Sequence, residues 1–476
     1  MKKLATVLAA IFLVTILTAA FAGCSPDHTP GEIADNYTDL AAEGEFSVSS
    51  GDEGESAVFE FGKEITFNTL ILRENGSKIL QFDLYADDDT EPFYRSDLIE
   101  EFRACSFEPV TASSVRIKVN ESGGGWSLGQ LEAYYIDKQA DEDFRIMGYV
   151  TVDSLCSDVI DEEEYAEVMS CVTQFNVISG IYLDGNGGIN YKDKDSRSGD
   201  DKADFADALG KVRSMAPEAE IVVTILGNDN FVNDGYTETI PRHNAAMGTN
   251  SQTFIDNILE FIDRWDIDGV SFDYEYPRSG SDFRTYGEFV LDLRDALDEK
   301  YPQGKLLTAA IADWNMGSGL FTAEYMAALD QIEVMAYDLF DTNGYHSTFY
   351  RACYQIIENC RERGADLSKV HLGVPFYSRP VNGDEFWGNY KDVAGVLSPS
   401  NVYLYDEPYV NLDGTTGTAA NYFNDRQMIY DKTQYAIDLG LGGIMIWHMA
   451  CDTPDAGLSL TTAIYDAIAD RAALAE

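Results

Sequence analysis

Basic residues are scarce in this chain. Against 82 aspartates and glutamates stand 33 lysines and arginines, a formal net charge of -49 over 476 residues. Such a field repels nucleic acid and anionic lipid, favours neutral or cationic partners, and by itself keeps an exported protein in solution. Histidine is scarcer still, and His28, His243, His346, His371 and His448 are scattered. The seven cysteines include no CxxC pair, so no metal-ligand spacing appears, and neither a metal nor another cofactor is expected. Cys353 and Cys360 lie seven apart in a helical pattern, which puts them about 10 Å apart on one face, too far for a disulfide. Buried free thiols are the expectation. Low hydrophobicity is not among the absences: 45% hydrophobic and 24% charged residues are ordinary for a globular chain long enough for two or three domains.

Only the start carries a long apolar run. MKKLATVLAAIFLVTILTAAFAGCS has two lysines, the apolar run and then small residues, the pattern of an export signal. The run is also long enough for a transmembrane anchor. Phe21-Ala22-Gly23-Cys24 resembles a bacterial lipobox, which implies removal of 1–23, lipidation of Cys24 and a polar tether over 24–36. The expectation is an exported protein anchored through lipid at the bacterial cell surface, with an uncleaved helix or ordinary secretion as the alternatives.

From 37 to 136 the sequence reads as all-β. Ile65, Phe67, Thr69 and Ile71 share one face; Leu80, Phe82 and Leu84 alternate with Gln81, Asp83 and Tyr85; Val115, Ile117 and Val119 alternate with Arg116 and Lys118. Turns such as ENGS and ESGGG fit a small antiparallel β-sandwich. FNTLILRENGSKILQFDLYADD, SFEPVTASSVRIKV and LGQLEAYY together resemble the discoidin-like (coagulation-factor type C) sandwiches, whose members often bind sugars. With Trp126 as its only tryptophan, this domain reads equally as a sugar-binding module or as a spacer.

After a charged linker, 137–143, β-rich apolar runs recur at 145–150, 175–183, 220–226, 268–275, 306–312, 331–339, 371–377 and 442–449, with helical segments between. In one of these segments Phe254, Ile258, Phe261 and Trp265 recur at helical spacing. Eight alternating units over 144–473 predict an α/β fold, a (β/α)8 TIM barrel, whose reactive groups stand at the C-terminal ends of the strands. The fourth run, DGVSFDYEYP, ends in acids. In a strand Ser271, Asp273 and Glu275 share one face, so the two acids, about 6.6 to 7 Å apart, look into the barrel mouth. Two acids on one side cannot flank a glycosidic bond from opposite faces. Glu275 is a candidate general acid, favoured by a neighbouring negative charge and partial burial, and a nucleophile must then come from elsewhere.

DGVSFDYE resembles the DGxDxDxE signature of glycoside hydrolase family 18. Support comes in order from GY at Gly148-Tyr149, MAYD at Met335–Asp338, GVPFYSR at Gly373–Arg379 and GGIMIW ending at Trp447. The resemblance implies substrate-assisted retention, in which the sugar's 2-acetamido oxygen is the nucleophile. It implies Glu275 as acid and then base, Asp273 as the group that orients the acetamido and stabilises the oxazolinium-like intermediate, and Tyr337 as hydrogen-bond donor to its carbonyl. Trp447 is implied as the floor under the sugar, with Tyr149, Met335, Asp338, Tyr377 and Arg379 on the walls. The expected partner is a polysaccharide or glycan containing N-acetylglucosamine: chitin first, then an N-glycan or peptidoglycan. Non-catalytic capture of sugar is the reading from a different class. Asp268, which opens the motif, reads as structural, and LDGNGGIN as a turn, since it lacks the lysine of a phosphate loop.

Ser271 stands where the family has its first aspartate, and strand three reads Thr224-Ile225-Leu226-Gly227 where SxGG is common. Since Ser271 carries no charge, the expectation is that Asp273 is relieved of like-charge repulsion and ionises at lower pH than in relatives with two aspartates.

Overall fold

A computed structural model describes residues 28–157, 159–192, 198–227, 236–395, 404–405 and 407–474. The export signal and Cys24 lie outside the described residues, as does Tyr403, one of the aromatics of the tyrosine-rich stretch 381–422. Among the described residues no helix is long and apolar enough to cross a membrane.

Eight parallel strands close into a barrel: β1 (Arg145–Thr151), β2 (Gln174–Ile178), β3 (Glu220–Leu226), β4 (Gly269–Asp273), β5 (Leu306–Ala312), β6 (Gln331–Met335), β7 (Val370–Pro375) and β8 (Gly443–Trp447), with β8 paired back onto β1. All eight correspond to the expected runs. The 175–183 run differs in that β2 ends at Ile178 and Ile181–Leu183 turns into an antiparallel pair with Ile189–Tyr191. Strand residues facing outward are apolar because helices cover them. Phe272 of β4 packs on Phe254 and Phe289, which come from α1 (Ser251–Trp265) and α2 (Gly280–Lys300). Ser279 starts α2 with a capping box to Asp282, which satisfies end groups that would otherwise lack partners. Cys353 and Cys360 are both buried free thiols.

The interior is filled in layers, as barrel closure requires. Here two of those layers are polar. Gln174 of β2 and Gln331 of β6 exchange hydrogen bonds across the barrel at 2.8 and 2.6 Å. Above them, Asn176 of β2 donates to Glu333 of β6 at 2.9 Å.

The N-terminal domain is one seven-stranded antiparallel sheet. Its long strands, Ser56–Glu74 and Arg103–Ser122, bend at register shifts between Glu60 and Ile65 and between Phe67 and Thr69, so the sheet wraps its own core of Phe59, Phe67, Phe82, Val115 and Ile117. Leu70 and Leu72 point into that core, whereas Ile71 between them joins the core of the barrel, together with Phe102, Ala104 and Tyr134. The period of two therefore reads apolar on both faces of this stretch. The seam against α3 (Arg426–Leu439) holds a fully buried ion pair, Arg103 to Asp431 at 2.7 Å. Tyr94 donates to Asp431 at 2.6 Å, and Arg103 to Ser96 at 2.5 Å. Trp126 is 2% exposed and donates its indole N–H to the Asp52 carbonyl at 2.9 Å, so it is part of the core and offers no ring face to a sugar.

Candidate active site

β4 runs in register between β3 and β5. Ser271 lies opposite Thr224 and Thr308, and Asp273 opposite Leu226 and Ala310. The small Ala310 leaves the mouth open beside Asp273. Asp273 is 8% exposed and its Oδ1 is buried without a hydrogen-bond partner among the described residues. Its carboxyl is pushed well above the usual carboxylate range by burial first, then by the charge of Glu275 and a hydrogen bond with it, and finally by Glu333. Glu275, just past the strand end, is half-buried and faces the mouth. Tyr274 points the other way and stacks on His243 at 3.8 Å. Gly227 makes room for that histidine, since a Cβ there would sit 1.7 Å from its ring. The peptide bonds Glu275–Tyr276 and Trp447–His448 are both cis.

Aromatic side chains ring the carboxyls. Trp447 at the end of β8 lies 5.4 Å from the Tyr149 ring and 6.4 Å from that of Tyr337, nearly parallel to the latter at 18°. Met335 and Tyr337 pack on the same cluster with Met147 and Met445. The Tyr337 phenol is held protonated well past its usual range by burial and by the surrounding phenols and carboxylates, which keeps it a donor at any working pH. Its hydroxyl meets only the Met445 sulfur, at 4.0 Å, among the described residues. Gly373 of β7 leaves space for this ring: an added Cβ would come within 3.0 Å of Tyr337 and 2.5 Å of the Val334 carbonyl.

The adjoining wall is an ion-pair bracket. Arg379 grips Asp338 with two hydrogen bonds, 2.8 and 3.0 Å, while the Asp338 N–H donates to His346 Nε2 at 2.9 Å. Burial opposes ionisation of Asp338, but the neighbouring His346 and the Arg379 guanidinium outweigh it and hold the carboxyl well below its usual range. Tyr377 is buried and stacked on Trp387 at 3.8 Å, with the Arg379 guanidinium over both rings.

The structure thus brings Asp273, Glu275, Tyr149, Met335, Tyr337 and Trp447 to the mouth and puts Asp338, Tyr377 and Arg379 beside it. It does not bring Asp268, which caps the far end of the barrel by accepting the Ile221 N–H at 2.9 Å, near Lys305. The expectation about Ser271 is corrected. The serine is uncharged, but its hydroxyl donates to both oxygens of Glu333, at 3.2 and 3.1 Å. Like-charge repulsion on Asp273 is therefore not relieved, because a carboxylate from β6 occupies that layer. His346, Asn176 and Glu333 carry no signal of their own in the motifs above, and Trp387 stands out in the sequence only as one aromatic of the stretch 381–422, which reads either as the lining of extended subsites or as a tyrosine-rich loop. For Glu333 a signal exists outside those motifs: an acid at an inward position of the run QIEVM.

A model of the glycosyl hydrolases family 18 matches residues 132–452. The chain belongs to that family. Among curated relatives, mouse chitotriosidase-1 is 26% identical over 292 residues, 51% of this chain and 61% of the relative. Chitinase A1 of Niallia circulans is 27% identical over 272 residues, 44% of this chain and 38% of the relative. These matches span less than two thirds of either relative's length. The solved group IV chitinase of Ostrinia furnacalis superposes with a TM-score of 0.52 at 18% identity, covering 68% of this chain and all of that one. That likeness concerns the barrel fold.

Proposed function

We propose that the barrel mouth of this family 18 chain hydrolyses β-1,4 bonds next to N-acetylglucosamine by substrate-assisted retention, with chitin or its oligomers as substrate. The observation that carries the reading is the pairing of a half-exposed Glu275 with a buried Asp273 whose Oδ1 lacks a partner. The remaining carboxylate of the barrel layer, Glu333, is fully buried and bonded to Tyr149, Asn176 and Ser271. It cannot reach an anomeric carbon. A retaining enzyme needs a nucleophile about 5 to 5.5 Å from its acid, so the substrate's own acetamido oxygen takes that part.

Glu275 then gives its proton to the glycosidic oxygen while the acetamido oxygen closes on the anomeric carbon and the aglycone leaves. The Asp273 acceptor takes the acetamido N–H, and its negative charge offsets the oxazolinium-like cation; Tyr337 donates to the acetamido oxygen. Glu275, now a carboxylate, takes a proton from water, which opens the ring at the anomeric carbon with net retention. Trp447 offers an apolar face for the sugar ring. Lipid attachment at Cys24 would hold this activity at the cell surface.

The experiment is mass-resolved product analysis with the soluble form that begins after Cys24 and with its Glu275→Gln variant, on chitin pentamer and on a high-mannose N-glycoprotein. Shortened oligomers from the unaltered protein alone support the chitinase reading. Released glycan with intact pentamer would reassign it as an endo-β-N-acetylglucosaminidase, and tight binding of pentamer with no cleavage would reassign it as a sugar-capturing protein.

A further inference from the structure

Glu333 is the buried ionisable group that the chemistry above leaves unused. It is 0% exposed, and three donors from three strands converge on it: the Tyr149 hydroxyl from β1, the Asn176 amide from β2 at 2.9 Å, and the Ser271 hydroxyl from β4 at 3.1 and 3.2 Å. A carboxylate accepts from all three, whereas a glutamine in its place would accept from Asn176 only if the Tyr149 or Ser271 hydroxyl turned to accept from its N–H2. The layer below, Gln174 with Gln331, is neutral, and Gln174 Nε2 also donates to the Asn176 Oδ1 at 2.9 Å, which turns the Asn176 N–H2 toward Glu333. Burial pushes the Glu333 carboxyl up, and the hydrogen bonds that converge on it oppose that shift and favour the anion. The carboxyl lies one inward position below Asp273, since Ser271 and Asp273 are successive residues on one face of β4.

The groups that titrate around Asp273 are Glu275 beyond the strand end, Glu333 from β6, and the phenols of Tyr149, Tyr337 and, from α2, Tyr286. Among the described residues no cation acts on Asp273. The inward neighbours in register on β3 and β5, Thr224 and Thr308, are uncharged.

We infer that Glu333 performs from β6 the task that Ser271 cannot perform on β4: it stays ionised within the barrel and keeps one proton on the Asp273–Glu275 pair, so that Glu275 carries that proton when Asp273 accepts the acetamido N–H. This rests on the proposed hydrolysis. Glu333 is a positioning residue, because it touches no reacting atom and acts through Asp273. Two unit charges about 7 Å apart at an effective dielectric near 20 change a proton affinity by about one to two pH units.

The test is the pH profile of kcat/KM on chitin pentamer for the unaltered protein, Glu333→Gln, and the double variant Ser271→Asp with Glu333→Gln, which moves the carboxylate back onto β4. Removing the Glu333 charge lowers both proton affinities of the pair, so both limbs of the bell should move to lower pH by about a unit or more. At pH 7 kcat should fall on the order of tenfold with KM within about twofold. The double variant should return both limbs toward their original positions, which a merely structural role would not produce. A folded Glu333→Gln protein with an unchanged profile overturns the inference.

If the unaltered protein cleaves no pentamer, the hydrolysis reading alone has failed. Carboxyl-carbon NMR titration of Asp273 then decides the electrostatic claim: a lower midpoint in Glu333→Gln supports it and an equal midpoint overturns it. If Glu333→Gln does not fold, the double variant decides, by matching the unaltered profile or departing from it. If neither folds, the same titration of Glu333 in the unaltered protein decides: a Glu333 carboxyl that is ionised across the pH range in which Asp273 and Glu275 exchange their proton supports the inference, and one that is protonated there overturns it.

Discussion

Replacing Tyr337 by phenylalanine separates chemistry from folding more cleanly than any other change at the mouth. The hydroxyl donates only to the Met445 sulfur at 4.0 Å among the described residues, so its loss removes no strong bond from the resting protein. The ring itself stays, with its contacts to Trp447 and Tyr377 at 6.4 and 6.3 Å. Stability should therefore change by less than about 0.5 kcal/mol. In the proposed mechanism the same hydroxyl faces the oxygen that becomes part of the oxazolinium-like ring, and burial holds it protonated. Loss of one preorganised donor of this kind costs about 2.7 to 4 kcal/mol of transition-state stabilisation, roughly a hundredfold to a thousandfold in kcat. The assay is steady-state hydrolysis of chitin pentamer beside a thermal melt of the same preparation. A variant that melts like the parent and keeps kcat within about threefold would refute the assignment of Tyr337. A variant that loses activity only because it melts early would refute the claim that the hydroxyl is idle at rest.

Two further outcomes follow from the seam between the sheet and the barrel. Arg103→Met leaves Asp431 fully buried without its partner, at a cost of about 3 to 5 kcal/mol; a lower urea midpoint with unchanged kcat per folded molecule checks it, and a midpoint like the parent's would show that the pair is not needed. Burial raises Asp97 to about 7 and Glu100 to about 8, and a carboxyl raised above its unfolded value adds stability that is complete at low pH and is lost as pH rises through the folded value. The melting temperature should therefore fall progressively between about pH 4, the unfolded carboxyl value, and about pH 8, and Glu100→Gln should flatten that fall; an equally steep fall in the variant would place its cause in the general negative charge.

The parts of this fold legible in the sequence are those where one residue's neighbours are set by its own strand. Alternation along DGVSFDYE fixes which side chains enter the barrel, and the structure keeps that division: Asp273 and Glu275 face inward, while Phe272 and Tyr274 face the helices. Pairings across the barrel have no such local signature. Glu333 meets Ser271 from 62 positions further along the chain and Asn176 from 157 positions away, because β6 and β2 happen to face each other through a closed sheet. The aromatic-rich stretch 381–422 after the seventh strand reads from sequence either as the lining of extended subsites or as a tyrosine-rich loop, for a related reason. Trp387 lies against Tyr377 near the site, but Phe386 stacks with Tyr409 in a small hairpin and Tyr390 donates to the Leu458 carbonyl in the core. Tyrosine content gave no means of telling these destinations apart. The Ser271 position marks the limit most clearly: read along one strand it is a missing charge, whereas read across the barrel it is a hydroxyl donor to a charge supplied from another strand. A departure from a one-strand motif thus says little about the electrostatics of a site until the inward residues of the facing strands are known.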